Sequence, residues 1–364
     1  MSPRPPAALV GLPLAIAIFG GLASAQSPAD VRERVLYFQP TTTAQESQSI
    51  VNAIRTITDI PQPSNDEARK SATFRGTPAQ VDMAEWLFQR LDRPAGGAPL
   101  PGSVSPEYLV PGAADDLVRV FYPAHLATSE GLIGLVNTLR TLADIQRLFA
   151  CLGVQAVAMR GTAGQAALTE WLVNALDKPD GWHPPASQNT VAYDYWNRPT
   201  PDANASAVRV FYTAHTETPQ GLNEVVNLTR ILADLQRLFP FGPAKALVLR
   251  GTPNQAALAE FLLNALDKPA DWQPAAGQNP AESQYRADDP RSKGEIDLVR
   301  VFYVTPTVTP QDLQALVTQI RIAANIQKIF ANPTHHALAL RGTATQVSIA
   351  EQLVAPRYQP LPKP

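Results

Sequence analysis

The sequence predicts an α+β fold of four tandem β-α-β-β-α modules, each with two helices that cover a three-stranded sheet. An Arg-Val-Leu/Phe-Tyr segment is followed 41 positions later by Arg-Gly-Thr, and this occurs four times. The stretches between these cassettes vary in length and are rich in proline. A constant interval with variable connectors is typical of copies of one small domain. The cassettes are marked by Arg34 with Arg75, Arg119 with Arg160, Arg209 with Arg250, and Arg300 with Arg341.

We expect four modules joined by Pro-rich linkers. Each module has about 60 residues, a size that is marginally stable in isolation because it buries a limited share of its surface. Contacts between modules, or with a partner, are therefore expected to stabilise them. The modules are expected over residues 31–93, 116–179, 206–269 and 296–356, and the linkers over 94–115, 180–205 and 270–295.

The third module shows the predicted elements most clearly. A β-branched and aromatic run over 208–212 predicts the first strand, and apolar residues at helical spacing over 218–232 predict the first helix. Segments 236–239 and 246–250 predict a hairpin, because a stretch rich in proline and glycine separates them. A second amphipathic segment over 252–266 completes the β-α-β-β-α order.

Threonine is predicted to cap every helix. A Thr precedes each first helix, and each second helix begins with Thr-x-x-Gln, the pattern of a capping box. One cap contributes about 1 kcal/mol, a sizeable share of the stability of a small domain. The repeated Arg-Gly-Thr therefore has a structural explanation, and we do not expect it to be catalytic. The first-helix caps are Thr43, Thr128, Thr218 and Thr309, and the boxes pair Thr77 with Gln80, Thr162 with Gln165, Thr252 with Gln255, and Thr343 with Gln346.

The two outer modules differ from the inner ones. In the first module, residues 61–67 of the second-strand region are polar and interrupted by proline, which predicts a looser hairpin. In the fourth module, Pro356 is expected to end the second helix early. Terminal repeats are commonly atypical because they lack one neighbour.

The N-terminus has the three parts of a secretory signal peptide. Arg4 precedes an apolar stretch, and Ala23-Ser24-Ala25 forms a small-residue cleavage site. We expect a signal peptide over 1–25 that is cut after Ala25, which favours export to the periplasm or beyond. An uncleaved membrane anchor is the alternative. No other stretch reaches the roughly 20 apolar residues of a spanning helix, so we expect no membrane span in the mature chain.

Charge and residue content argue against several classes of function. The formal net charge of −2 gives no general attraction to nucleic acid. The Gly-x-x-Gly letters at 131–134 match a nucleic-acid-binding KH loop but lie in a predicted helix. Cys151 is the only cysteine, so no internal disulfide can form, and we expect a buried structural thiol. His125 and His215 share a cassette position without a second ligand at metal spacing, so we expect neither metal nor cofactor.

Charged residues also recur on both helices. The Glu of each second helix and the Arg of each first helix are expected to pair with each other or to remain solvated. Four equivalent acids without partners are a poor arrangement for general acid–base catalysis, so no enzyme is expected. These residues are Glu85, Glu170, Glu260 and Glu351, with Arg55, Arg140, Arg230 and Arg321.

The repeated pattern resembles a known module. The opening 208–212, the ending 246–255 with its Arg-Gly-Thr, and the Leu-Asp-Lys-Pro at 266–269 are similar to the short periplasmic N-domains (NolW-like domains) of bacterial secretins. Secretins are the outer-membrane channels of type II and type III secretion and type IV pilus systems. In them such modules stack, sheet against helix of the neighbour, and lead into a β-barrel. The resemblance covers all four modules without a barrel. It therefore implies binding to other domains or envelope proteins, with no catalytic residues and no pore from this chain by itself.

Two sets of side chains are candidates for interaction. The arginine of each Arg-Gly-Thr ends a strand, where it is solvated, bonded within its module, or paired with an acid of a neighbouring module. The linker aromatics, which are unusual in a flexible spacer, either cover the preceding module or form a docking patch for a protein or a sugar. The candidates are Arg75, Arg160, Arg250 and Arg341, with Trp182, Tyr195, Trp196 and Trp272.

These patterns favour a non-catalytic exported scaffold or adaptor that makes protein–protein contacts in the bacterial envelope. The resemblance connects it with a secretin-type secretion or pilus system, and its partners would be envelope proteins or further copies of the chain. Two alternatives stay open at this point. One is a protein that binds an envelope polymer such as glycan through its linker aromatics, and the other is an unrecognised enzyme.

Overall fold

The computed structural model describes most of the chain beyond the N-terminal region. The expected signal peptide lies outside the described residues, and so do the linker candidates Tyr195 and Trp196. The described residues are 31–93, 102–113, 115–126, 128–185, 189–194, 207–216, 218–269, 272, 284–287, 297–305 and 307–357.

The described residues form eight α-helices and four antiparallel sheets, which confirms the predicted α+β fold. The helices are α1 (Ala44–Thr58), α2 (Pro78–Leu91), α3 (Ser129–Leu142), α4 (Ala163–Leu176), α5 (Pro219–Leu232), α6 (Pro253–Leu266), α7 (Pro310–Ala324) and α8 (Ala344–Val354). The strands are β1 (Arg32–Tyr37), β2 (Ser64–Asp66), β3 (Ser71–Gly76), β4 (Tyr108–Leu109), β5 (Leu117–Phe121), β6 (Arg147–Cys151), β7 (Ala156–Gly161), β8 (Thr190–Asp194), β9 (Ala207–Tyr212), β10 (Arg237–Phe241), β11 (Ala246–Gly251), β12 (Gln284–Ala287), β13 (Asp297–Tyr303), β14 (Lys328–Asn332) and β15 (Ala337–Thr343).

In every module the third strand lies between the first and the second, so the Arg-Gly-Thr segment occupies the middle of the sheet. The first module has the order β1-β3-β2, and the third has β10-β11-β9-β8. In the third module Val210 lies opposite Val248, and Leu238 lies opposite Leu249. The other two sheets have the orders β4-β5-β7-β6 and β12-β13-β15-β14.

The linkers contribute a strand that the sequence analysis did not predict. β4, β8 and β12 each pair with the first strand of the module that follows. For example, Val191 of β8 lies opposite Val210 of β9. Over the described residues, the sheet therefore has three strands in the first module and four in each of the others.

Local capping interactions determine where the helices begin, as predicted. The Thr252 hydroxyl accepts the backbone N–H of Gln255 at 3.1 Å, and Gln255 Oε1 accepts the N–H of Thr252 at 3.0 Å. The same box opens all four second helices. Gln255 Nε2 also donates to the carbonyl of Asp234 at 2.7 Å. The cap therefore ties the start of the second helix to the end of the first.

Each first helix is followed by a residue in the left-handed conformation. This conformation favours glycine, and after glycine it is tolerated best by Asp and Asn. The chain uses Asp or Asn at all four positions. The residues are Asp59 with φ of 59°, Asp144 with 54°, Asp234 with 53° and Asn325 with 52°.

The outer modules show the predicted irregularities. In the first module β2 has 3 residues, whereas β6, β10 and β14 have 5. In the fourth module α8 has 11 residues, against 14 for α2, α4 and α6. The hairpin and the helix are therefore shortened at opposite ends of the array.

The sheets of the second, third and fourth modules are buried on both faces. In β7, Val157 and Met159 belong to the core of their own module, whereas Ala156 and Ala158 join the core of the first module. Strands buried on both faces have continuous apolar sequences, because no alternate position faces water. The second apolar face of each sheet is covered by the helices of the preceding module.

Candidate interaction site at the joints between modules

Neighbouring modules pack a first helix against a sheet, and we call each such contact a joint. α1 packs on β6, α3 on β10, and α5 on β14. At the middle joint Val208, Val210 and Phe241 of the third module extend the apolar cluster formed by the helices of the second. Each joint is therefore a continuation of a hydrophobic core.

Charged groups close one edge of the middle joint. Asp144, which follows α3, lies 2.9 Å from Arg237 and 2.8 Å from Arg250. Arg250 also donates through Nη1 to the carbonyl oxygen of Leu142 at 2.6 Å. The last carbonyls of a helix carry partial negative charge, so a guanidinium is well placed there. We call the aspartate and its two cations a clamp.

The clamp recurs at the third joint. Asp234, which follows α5, lies 2.7 Å from Lys328 and 3.0 Å from Arg341. Arg341 donates to the carbonyl oxygen of Leu232 at 2.9 Å. Asp297 of the fourth module also accepts from Arg341 Nε at 2.9 Å, which orients the guanidinium towards the joint.

The first joint has a looser clamp. Asp59 lies 2.7 Å from Arg147 but 3.6 Å from Arg160. Arg160 is 3.4 Å from the Ile57 carbonyl and makes its shortest ion pair, 2.7 Å, with Asp116 of its own module. The arginine of Arg-Gly-Thr therefore reaches across this joint while it is held mainly from its own side.

Arg75, the arginine of the first Arg-Gly-Thr, has a different environment. Its side chain is exposed and forms no hydrogen bond or ion pair with any described residue, although its backbone pairs with Glu33 in the sheet. The side chains of its counterparts Arg160, Arg250 and Arg341 are at most 14% exposed. The same three-residue motif is thus a joint element in three modules and a surface residue in the first.

A buried tyrosine hydroxyl makes the second polar contact of each joint. Tyr212 donates to the carbonyl oxygen of Ala175, in the last turn of α4, at 2.8 Å. Burial raises the pKa of Tyr212 to about 12. The hydroxyl therefore stays protonated and remains a donor. The equivalent bonds run from Tyr122 to the Arg90 carbonyl at 2.9 Å and from Tyr303 to the Ala265 carbonyl at 2.6 Å.

The two described tryptophan candidates of the linkers also lie in joints. Trp182 packs edge-on against Tyr212 with ring centroids 4.7 Å apart, and the Lys178 ammonium lies 5.0 Å from the Trp182 ring. Trp272 packs in the same way against Tyr303 at 4.6 Å. Both indoles are half-buried, which leaves less ring surface for a sugar than a free linker would offer.

Three linker tyrosines cover the preceding module. They lie on or next to strands that pair with the following module, so each linker is held by both of its neighbours. The pairs are Tyr108 with Trp86 at 5.4 Å, Tyr193 with Trp171 at 5.3 Å, and Tyr285 with Phe261 at 5.5 Å between ring centroids.

The recurring Glu and Arg of the two helices do not pair with each other. Glu170 of α4 binds Arg119 of the first strand at 2.6 Å, because α4 lies over β5. Arg140 of α3 lies over β6 instead and donates to the carbonyl of Leu148 at 3.0 Å. The same arrangement holds for Glu85 with Arg34, Glu351 with Arg300, Arg230 with the Leu238 carbonyl, and Arg321 with the Ile329 carbonyl.

Two further reactive side chains, those of Cys151 and His335, have pKa values that burial shifts. Burial raises the pKa of Cys151 to about 12, so its thiol is not ionised at neutral pH. Burial lowers the pKa of His335, whose ring lies 3.4 Å from the Thr216 hydroxyl. Across the described ranges, no group of three or more His, Cys, Asp or Glu side chains is placed to hold a metal. None of the helices described above is long and apolar enough to cross a bilayer.

Comparisons with known proteins found solved structures of low sequence identity to this chain. No protein-family model matches the chain, and no curated protein matches it. Aeromonas hydrophila ExeD is 16% identical over 66% of this chain and 41% of its own length, with a TM-score of 0.16. The type II secretion system secretin GspD of E. coli K12 is 11% identical over 67% of this chain and 39% of its own, with a TM-score of 0.15.

An aspartate kinase from Synechocystis is similar to the same weak degree. It is 12% identical over 92% of this chain and 56% of its own, with a TM-score of 0.17. The chain spans about two fifths of the length of ExeD and GspD. These scores are too low to support an argument about function for any of the three.

Sequence reasoning identified the arginine of the clamp but missed its aspartate. The sequence does show this aspartate, because the acids and the cations occur in modules that are shifted by one. An aspartate follows the first helix in modules one to three, whereas the second strand begins with a cation in modules two to four. This is the distribution that stacking requires, because each acid has its base in the next module. The acids are Asp59, Asp144 and Asp234, and the cations are Arg147, Arg237 and Lys328.

Proposed function

We propose that this chain is a non-catalytic exported scaffold that makes protein–protein contacts in the bacterial envelope, in connection with a secretin-type secretion or pilus system. The observation that carries the proposal is the joint. The chain uses one helix-on-sheet contact three times, each time with a clamp and a buried tyrosine bond. A stacked repeat array of this kind has extended surfaces, and the surfaces that are not buried between modules are available to partners.

Two surfaces of the joint type are left over, one at each end of the array. Tyr37 on the sheet of the first module is 70% exposed, whereas its counterparts are buried in the joints; on α7, Ile322 is 77% exposed, at the position where Ile231 of α5 is 40% exposed. Grouped exposed apolar side chains with a polar rim are typical of interaction sites, and Tyr37 lies on the same sheet face as Val35, which is 42% exposed. The ends are therefore the surfaces that we expect partners to bind.

Export is part of the proposal and rests on the residue pattern of 1–25. N-terminal sequencing of the protein recovered from its host should give a mature chain that begins at Gln26. Recovery of the chain in the cytosol with Met1 or Ser2 at its start would contradict export.

Site-specific photo-crosslinking in the living host tests the scaffold function. A photoreactive amino acid is placed at Tyr37, at Ile322 or at Leu109, which is also 70% exposed but lies on a linker strand. We expect Tyr37 or Ile322 to capture a discrete envelope protein that mass spectrometry identifies, and Leu109 to capture none. A folded, exported chain that captures nothing at either end would contradict the proposal.

A further inference from the structure

The sheet of the first module has an outer face that no described residue covers. We call it the first face. It is formed by Glu33, Val35 and Tyr37 of β1 and by Thr73 and Arg75 of β3. Val35 is 42% exposed and Tyr37 is 70% exposed. In the other modules the same positions are buried under the helices of the preceding module.

The first face keeps the hydrogen-bond donors of a joint. Arg75 has the place of Arg250, which binds the end of α3, and Tyr37 has the place of Tyr212, which binds the end of α4. Neither Arg75 nor Tyr37 has a partner among the described residues. Two donors remain directed at positions that a helical neighbour occupies elsewhere in the chain.

The apolar part of the face is reduced. Glu33 and Thr73 stand where the third module has Val208 and Val248, which are both fully buried. Gln62 stands where the third module has the clamp residue Arg237. The first face keeps the hydrogen-bond donors of a joint but has less apolar surface. It therefore suits a transient partner, since obligate interfaces are more apolar.

The other end of the array does not match the first face. α7 has Gln319 and Ala323 where α5 has Leu228 and Leu232, and Asn325 replaces the clamp aspartate. Gln319 and Ala323 are exposed, whereas Leu228 and Leu232 are buried by the fourth module. An asparagine carries no charge for Arg75, and the apolar contact is missing. α7 of a second copy is therefore a poor occupant.

We propose that the first face binds a helix of a different protein, of the design seen in α1, α3 and α5. Such a helix presents a large aliphatic residue in its last turn, at the position of Ile57, Leu142 and Leu232, and is followed by an aspartate in the left-handed conformation. Its carboxylate and last carbonyls accept from Arg75, and a neighbouring helix end accepts from Tyr37. This inference rests on the proposed function, because it names the class of partner that the scaffold binds.

A graft on α7 supplies a defined probe for the face. The graft gives α7 the residues with which α5 contacts the next module. It consists of Gln319→Leu, Ala323→Leu and Asn325→Asp. A copy that carries the graft can then dock on the first face of the next copy, and such head-to-tail contacts propagate into chains. Sedimentation velocity should show a mass that rises with concentration for the grafted protein, and a constant monomer mass for the unsubstituted protein.

Second substitutions in the grafted protein locate the contact. Arg75→Ala or Tyr37→Ala should return it to a monomer. Arg34→Ala is the matched control and should leave the association unchanged, because Arg34 lies on the opposite face of β1 and pairs with Glu85. Circular dichroism checks that every variant is folded.

Three outcomes would overturn the proposal. A folded graft that stays monomeric would show that the first face does not bind such a helix. Association that survives Arg75→Ala would place the contact elsewhere. Association of the unsubstituted protein that requires Arg75 would make a second copy the occupant. Because these measurements use purified protein, they are independent of whether crosslinking in the host supports the scaffold function.

Discussion

Replacing Arg250 with alanine tests whether the clamp couples the second and third modules. Arg250 makes one bond to the Leu142 carbonyl at 2.6 Å and one to Asp144 at 2.8 Å, and its side chain is 10% exposed. A hydrogen bond to a charged group contributes about 1.5–3 kcal/mol. Asp144 is 42% exposed and keeps Arg237, so solvent screening reduces the ion-pair share to about 0.5 kcal/mol. We expect a total loss of about 2–3.5 kcal/mol.

The loss should appear as reduced cooperativity of unfolding. In a repeat array the modules unfold together only while the energy of the interfaces between them is large enough. Urea unfolding of Arg250→Ala should therefore have a lower midpoint, and the transitions seen by tryptophan fluorescence and by circular dichroism should no longer coincide. Coincident transitions are the mark of concerted unfolding, so their separation measures the uncoupling.

Arg75→Ala is the matched control. Arg75 belongs to the same Arg-Gly-Thr motif, but it is exposed and has no partner among the described residues. Its removal should change the free energy of unfolding by no more than about 0.5 kcal/mol. If Arg250→Ala and Arg75→Ala had equal effects, the clamp would not couple the modules and the reasoning above would be wrong.

Three further substitutions test other contacts. Gly153→Ala should lower the free energy of unfolding by about 1–3 kcal/mol, and with it the urea midpoint, since the new Cβ would lie 2.5 Å from Glu46 Cγ of the first module. A Cβ at Gly242 would have no atom within 4 Å, so Gly242→Ala should leave the urea midpoint unchanged. Equal midpoints for Gly153→Ala and Gly242→Ala would argue against close packing at the first joint. Burial raises the pKa of Tyr122 from 10.0 to about 12 in the folded state. The folded state therefore loses stability relative to the unfolded state as the pH rises from 10 to 12. Thermal melts of Tyr122→Phe should therefore decline less over that range, and an identical decline would contradict this assignment. Thr252→Ala should cost about 1 kcal/mol in urea unfolding, and no loss would mean that its capping box is not stabilising.

The helices and most strands could be predicted because their causes are local. Thr252 and Gln255 lie within one turn of each other, so the capping box is visible in the sequence and is present in the structure. The edge strands β4, β8 and β12 could not be predicted in the same way. Each is 2 to 5 residues long, lies in a proline-rich segment, and is defined by its pairing with the first strand of the next module, which is a tertiary contact and not a local sequence pattern.

The joints could have been inferred from strand composition. Residues 156–159, 246–249 and 337–340 are continuous apolar runs, which indicates burial on both faces. The corresponding segment of the first module, 71–74, alternates Ser-Ala-Thr-Phe, which indicates one solvated face. An isolated module does not predict this difference, because two helices cover one face of its sheet and the other face would be exposed to solvent.

The acids and bases of the clamps are offset along the described modules. The second and third modules carry both halves of a clamp, as Asp144 with Arg237 and Arg250 of the next module shows. The first module supplies only the acid, and the fourth supplies only the cations. A copy of an inner module inserted within the array would find a partner on each side, whereas a copy joined after α7 would meet Asn325 and Gln319 in place of an acid and an aliphatic residue. Each end module of the described array therefore presents one half of a clamp contact, and the proposed partner would use the half presented by Arg75.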